Sequence, residues 1–210
     1  MPRPARRRAR NKVSQPIGLL VHEDTFLVRA TTQWLVRPTD FPTIRRRCRT
    51  CPSEEHRTQG KFRVNANRKL LDVWLLARCA RCGDTIKLTV LERATVRSIE
   101  PTMLDRFYDN DSALAAELLT GPHLAHRNDV WLDWTDAWTL ERTPVELPKA
   151  DILDVDVRFA QRIPIRLTTL IATGTEVSRA EVAKRIAAGR ITSDRTLAGR
   201  CARDFSFVFR

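Results

Sequence analysis

The sequence predicts an α+β chain, on three observations. Two Cys-x-x-Cys pairs, Cys48/Cys51 and Cys79/Cys82, bracket runs in which apolar and polar residues alternate. Later stretches carry capped apolar patterns of helical period, punctuated by Gly and Pro. Charge is segregated: of a net +12 over 210 residues, residues 34–100 carry 15 basic groups against 7 acidic, residues 101–159 carry 5 against 12, and residues 160–210 carry 10 against 4. These shifts divide the chain into a basic tail (1–12), an extended arm (13–33), a cysteine-bearing β module (34–100), an acidic, mainly helical connecting region (101–159) and a small α+β C-terminal module (160–210).

The tail, with Arg3, Arg6, Arg7, Arg8, Arg10 and Lys12 and no acid, has nothing to bury and is expected to be disordered. In the arm only Phe26 to Val28 reads as a short strand. The apolar run Ile17–Val21 is too short for a membrane span or a signal-peptide core, which predicts no membrane association and a cytoplasmic location. A hydrophobic fraction of 42% and a mean hydropathy of −0.35 fit a soluble globular chain. Trp34 and Leu35, ahead of Pro38 and Pro42, are expected to pack on the cysteine-bearing module.

In that module the four thiols in two pairs have the spacing of a closed tetrahedral zinc site, where thiolates bind at about 2.3 Å. The neighbouring Arg45, Arg46, Arg47, Arg49, Arg78 and Arg81 favour the thiolate that a metal needs. Between the pairs lie 27 residues, room for a hairpin: Phe62–Val64, a turn at Asn65-Ala66-Asn67, then Leu70–Arg78, with Leu71, Val73, Leu75 and Ala77 on one face. Ile86, Leu88 and Val90 continue the alternation. The pattern is that of a four-cysteine zinc ribbon of antiparallel strands, with zinc in a structural role. Two disulfides, or four inert buried thiols, are the alternatives, and nothing marks the chain as secreted. His56, His123 and His126 are read as surface residues, and Asp72 as a stabiliser of the Asn65–Asn67 turn.

In the acidic region Pro101 opens a helix containing Met103, Leu104, Phe107 and Tyr108, and Asp111 or Ser112 caps a second that ends at Gly121-Pro122. Trp131, Trp134 and Trp138 recur at helical spacing and predict a core-facing stripe, with Asp129, Asp133 and Asp136 on a solvated side.

In the C-terminal module Arg166–Ile171 reads as a short helix stopped by Gly174. A second starts at Ser178 with Glu181 in capping-box register and buries Val182, Ala183, Ile186 and Ala187. Phe205, Phe207 and Phe209 alternate as a final strand, with Cys201 before it expected to be buried.

Arg166-Leu167, Ser178-Arg179, Ala183, Ile186 and Gly189-Arg190-Ile191 resemble the small RNA-binding fold known from protein four of the small ribosomal subunit and found in pseudouridine synthases and tyrosyl-tRNA synthetases. The resemblance implies phosphate contacts for Arg166, Arg179, Lys184, Arg185 and Arg190. Residues 34–93 resemble a bacterial family known as a domain of unknown function, one-zero-six-two, through Cys48-x-x-Cys51, Phe62–Asn67, Leu71–Leu75, Cys79-x-x-Cys82 and Glu92-Arg93. That resemblance implies no activity.

The arginine-rich basic modules favour a polyanion partner, because guanidinium matches phosphate and base edges. No phosphate loop, GxSxG or zincin helix is present, so the expected function is non-enzymatic binding of structured RNA, ribosomal or transfer, with DNA as a related polyanion. The alternative is a zinc-ribbon regulator of protein interaction or transcription whose acidic middle docks a protein partner.

Overall fold

A computed structural model describes residues 27–144 and 151–210 of the chain. The expected disordered tail, most of the arm and the start of its strand at Phe26 lie outside the described residues. The elements are β1 (Arg29–Pro38), β2 (Thr43–Arg45), β3 (Glu55–Asn67), β4 (Leu70–Cys79), β5 (Thr85–Thr95), α1 (Pro101–Tyr108), α2 (Ser112–Thr120), α3 (Pro122–Arg127), β6 (Trp131–Asp133), β7 (Trp138–Arg142), β8 (Ile152–Phe159), β9 (Ile165–Arg166), α4 (Leu167–Thr175), α5 (Arg179–Ala187), β10 (Ile191–Ser193), β11 (Arg200–Cys201) and β12 (Phe205–Phe209). The class is α+β as the sequence predicts. Among the described residues, no helix is long and apolar enough to cross a membrane.

One five-stranded sheet runs in the order β5-β4-β3-β2-β6 and is antiparallel throughout. Alternation along β4 puts Leu71, Val73, Leu75 and Ala77 on a buried face. Helices α1 to α3 cover that face with Phe107, Leu114, Ala115, Leu119 and Leu124, and Phe62 meets Phe107 edge-on at 5.2 Å between ring centroids. The β3–β4 turn sits later than Asn65–Asn67: those residues continue the ladder opposite Leu70 to Asp72, and the chain reverses at Arg68-Lys69, with Arg68 at φ 56°. Asp72 accordingly serves another bend, accepting the Arg93 amide at 2.7 Å where φ reaches 49°.

The second sheet runs β10-β12-β8-β1-β7, with β1 and β8 parallel and the other pairs antiparallel. Helices α4 and α5 pack on it through Leu167, Leu170, Ile171 and Val182, against Trp34, Val36, Val155, Val157 and Phe207. Trp34 therefore packs in this core and not on the cysteine-bearing sheet; its ring meets Phe207 edge-on at 5.3 Å. Residues 29–38 form one continuous strand, so the sequence boundary between Gln33 and Trp34 falls inside β1.

The chain passes between the sheets at residues 39–42 and again at 134–137, and the Thr39 amide donates to the Ala137 carbonyl at 3.0 Å, tying the two crossings together. This connection overrides the predicted tryptophan helix. Residues 131–133 pair with β2 and 138–142 with β1, and Asp133 accepts from the Thr135 amide at 3.1 Å, turning the chain between them. Trp134 is buried in that turn, while Trp131 is 57% exposed. Among its described residues the acidic region is thus helical to Arg127, and its later elements are the strands β6, β7 and β8.

Ser178 caps α5 by accepting the Glu181 amide at 3.1 Å, but the Glu181 side chain pairs with Arg185 and the box is only half closed. Val182 is buried and Ile186 half-buried; Ala183 and Ala187, expected inside, are exposed.

Two outcomes follow for stability. A Cβ on Gly174 would lie 2.1 Å from Trp34 Cη2, a contact the buried indole cannot yield. Gly174→Ala should therefore cost about 1–3 kcal/mol in denaturant titration despite the better helix propensity of Ala. Asp111 caps α2 through the Ala113 and Leu114 amides at 2.8 and 3.2 Å, and its carboxyl is held below the ordinary range, first by the Arg106 guanidinium and then by those amides. A depressed carboxyl stabilises above its unfolded pKa and loses that contribution as pH falls through the folded value. Asp111→Ala should lower the melting temperature at neutral pH, and the gap from wild type should close in acid.

Candidate metal centre and arginine cleft

The two cysteine pairs close one end of the first sheet. Cys79 ends β4 and stands opposite His56 on β3; Cys48 and Cys51 sit on the connection from β2 to β3, and Cys82 on the turn into β5. Backbone bonds hold the two turns in place: the Cys48 amide donates to the Ser53 carbonyl at 2.9 Å, the Cys79 amide to Asp84 at 2.7 Å, and the Ala80 amide to Glu55 at 2.8 Å. Gly83, at φ +75°, lets the chain leave the second pair while its amide returns to the Cys79 carbonyl at 3.0 Å.

All four sulfurs lie within 4.8 Å of one another, with Cys48–Cys82 and Cys51–Cys79 both at 3.6 Å. A tetrahedron of thiolates about 2.3 Å from a central ion has edges of about 3.8 Å, whereas a disulfide closes to about 2.05 Å. The cysteines are free, so this is a four-sulfur cage able to hold a metal ion.

Backbone amides serve the sulfurs. The Thr50 amide donates to Cys48 Sγ at 3.4 Å. Cys79 is drawn down to about 6, foremost by the Cys82 amide, with the Arg81 amide and the sulfurs of Cys51 and Cys82 adding and burial opposing. Cys82 is pushed up to about 12: the Asp84 amide favours its thiolate, but burial and the sulfurs of Cys51, Cys79 and Cys48 outweigh it. The cage holds one negative charge readily and resists the next, a conflict that a central cation removes. No arginine side chain figures among the causes that lower Cys79. Arg45 is engaged by Glu55 at 2.7 Å and Asp133 at 3.1 Å, and Arg78 reaches the Gly83 carbonyl at 3.4 Å.

His56, expected at the surface, is fully buried, and neither ring nitrogen has a hydrogen-bond partner. Alternation places it on the core face because Ile44 and Cys79 flank it across the ladder. His123 and His126 are exposed, as expected. Cys201 is buried, receiving Arg195 Nη1 at 2.8 Å and donating to the Arg203 carbonyl at 3.1 Å, far from the role of a fifth ligand.

The five candidate phosphate contacts divide. Arg166 and Arg179 line one cleft of about 230 Å³ together with Trp138, Pro164, Thr169 and Arg200. Lys184, Arg185 and Arg190 do not line it; Arg185 is spent on Glu181 at 2.7 Å and lies over the Phe209 ring at 4.9 Å. Arg200 was not legible as a site residue. Only the β9–β11 pairing sets it directly opposite Arg166, and its guanidinium lies over the exposed Trp131 ring at 5.3 Å. Among the described residues none of Arg166, Arg179 and Arg200 has a carboxylate within 4.0 Å, whereas Arg106 and Arg142 are each bound to one.

A family model described as "Protein of unknown function (DUF1062)" matches residues 64–197. The match begins within β3, after the first cysteine pair, and extends well past the residues 34–93 on which the sequence resemblance rests. No curated protein and no solved structure matches the chain.

Titration of the reduced chain with a divalent thiophilic ion, followed by thiolate-to-metal charge-transfer absorption, should saturate at one ion per chain and protect four of the five thiols from alkylation. Saturation at another stoichiometry, or protection of fewer than four thiols, would contradict the cage.

Proposed function

The chain belongs to the DUF1062 family of proteins of unknown function, and we propose that it is a non-enzymatic, zinc-containing RNA-binding protein acting on structured RNA, ribosomal or transfer. The observation that carries this reading is the cleft lined by Arg166, Arg179 and Arg200, none of which has a carboxylate within 4.0 Å among the described residues. Like charges directly opposite on paired strands repel, so Arg166 against Arg200 is an arrangement that an anion relieves. Bidentate guanidinium donors suit phosphate oxygens, and the Trp131 ring beside Arg200 offers an apolar surface within reach of the same ligand.

The resemblance of residues 166–191 to the ribosomal-type RNA-binding fold supports the same partner. On this reading Lys184 and Arg190, both exposed, add phosphate contacts along the flank of α5. Arg185 contributes less directly, since its charge is already met by Glu181. Structured RNA fits a surface that recognises shape and backbone through separated guanidinium groups.

Zinc is the ion best matched to four thiolates in a cage of this size, and four protein ligands leave no position for a reacting water. Its role is then structural: it supplies folding free energy to an end of the sheet that has little apolar burial of its own.

Two measurements test the reading. Metal analysis of the purified chain should return zinc at one equivalent. Binding to a hairpin RNA should weaken steeply with salt, and Arg166→Ala combined with Arg179→Ala and Arg200→Ala should reduce the affinity at least tenfold and flatten the log–log salt slope by about 2–3, with the melting temperature unchanged or higher. RNA binding untouched by the triple substitution would sink the assignment of this cleft; absence of RNA binding in the wild type would sink the function.

A further inference from the structure

The first sheet has two faces and its helices cover only one. Alternation that sends Phe62, Leu75 and Leu88 into the core sends Arg57, Lys61 and Arg63 on β3, Trp74, Leu76 and Arg78 on β4, and Lys87 on β5 to the other side. The five cations are exposed, while Trp74 and Leu76 are half-buried between them. Register fixes the layout. Arg63, Trp74 and Thr89 form one row across the three strands, and Arg57, Arg78 and Thr85 form another. A cleft of about 430 Å³ runs along this face between Arg57, Lys61, Leu76, Arg78 and Gly83, its end formed by the second cysteine turn.

None of the five cations has a carboxylate within 4.0 Å among the described residues. Two acids of these strands are engaged elsewhere, Glu55 with Arg45 at 2.7 Å and Asp72 with the Arg93 amide at 2.7 Å, and Asp84, between the cleft-lining Gly83 and Thr85, lies beyond 4.0 Å from each of the five. Lys87 Nζ lies 5.0 Å from the centroid of the Trp74 ring, so the indole is reachable from the solvent side by a flexible group that can move off it. Fixed guanidinium groups flanking an accessible indole on a flat sheet match a chain that alternates anionic and planar aromatic groups. A polynucleotide single strand has that alternation; an acidic peptide offers the charge without the rings, and a duplex hides its base faces.

We propose that the open face of the β3-β4-β5 sheet is a binding site for single-stranded nucleic acid, with Trp74 stacking on a base and Arg57, Lys61, Arg63, Arg78 and Lys87 holding the flanking phosphates. The identity of the polymer rests on the RNA reading above, but the site shares no residue with the Arg166–Arg179–Arg200 cleft. In the free chain Lys87 covers the indole; a base takes its place, and the ammonium turns to that base's phosphate.

The test uses the full metal-loaded chain and fluorescence anisotropy with labelled oligo(U) and oligo(dT) of about ten nucleotides, beside a blunt hairpin RNA. Trp74→Ala should weaken single-strand binding about tenfold and leave hairpin binding within about twofold, and Trp74→Phe should restore most of the loss. Arg57→Ala with Arg78→Ala, which relieves a cross-strand repulsion and so preserves the fold, should weaken the same binding and flatten its salt slope by about two. The substitutions in the arginine cleft should leave oligo(U) binding nearly intact. Equal affinity for oligo(U) and oligo(dT) assigns the site to single strands in general, and tighter oligo(U) assigns it to RNA; both support the proposal. Single-strand binding unchanged in both the Trp74 and the Arg57/Arg78 variants overturns it while the arginine-cleft function stands, as does displacement by poly-glutamate as readily as by oligo(U). Hairpin binding absent with single-strand binding lost in Trp74→Ala would retain this site and reject the structured-RNA reading.

Discussion

Four sulfur atoms at one end of a sheet set the conditions for the rest of the first module. Between residues 46 and 54 only Cys48 is buried, and between residues 80 and 84 nothing is. Those turns have no apolar core to hold them; a few backbone bonds, the Arg78 bond to the Gly83 carbonyl and the sulfurs themselves do so. Four thiolates brought this close repel one another, and Cys79 and Cys82 are accordingly shifted in opposite directions. A cation makes the same closeness favourable, and hydrogen bonds from the Thr50, Arg81 and Cys82 amides share the remaining charge. Closing that end fixes where β3 and β5 enter the sheet and where β4 leaves it, and a strand's register decides which of its residues face outward.

The arginines of this chain do two kinds of work, and their partners separate them. Arg106 joins Asp111 and Glu117 and thereby ties α1 to α2; Arg142 bonds the Gly174 carbonyl and Glu176 and ties β7 to α4; Arg45 joins β2 to β3 and β6. Exposed pairs of this kind add little stability each, but they remove those charges from any surface field. Among the cations with no ion pair to a described residue, five share the open face of the first sheet and three line the cleft around β9 and β11. Net charge alone would not have distinguished these places, because it counts paired and unpaired arginines alike.

The cysteine spacing, the β4 alternation, the Asp111 and Ser178 caps and the Phe205–Phe209 strand were all legible because each depends on neighbours in sequence. The signals that misled were also local. Trp131, Trp134 and Trp138 have helical spacing, yet the ladder bonds made by residues 131–133 and 138–142 come from partners about ninety or more positions away. Asn65-Ala66-Asn67 has turn composition, yet extending the hairpin by three pairs satisfies more backbone groups than turning early. His56 was misplaced because a polar residue in a basic segment reads as exposed, and only its position between Ile44 and Cys79 buries it. Arg200 carried no local signal; its pairing with Arg166 spans 34 residues of chain.

Two like-charged pairs stand directly across antiparallel ladders in this structure, Arg57 with Arg78 and Arg166 with Arg200. Such pairs oppose strand pairing, and all four side chains are exposed, although Arg78 reaches the Gly83 carbonyl and Arg200 lies over the Trp131 ring. The first pair shares its face with Lys61, Arg63 and Lys87, and the second shares its cleft with Arg179. On the reading proposed above, an anion bound at either pair would turn that repulsion into attraction. The metal cage follows the same logic, since an ion at its centre would offset the charge that four thiolates bring together. The Arg57–Arg78 pair lies one residue from the His56–Cys79 pair, so at that end of the first sheet the two clusters of like charge are neighbours along the same strands.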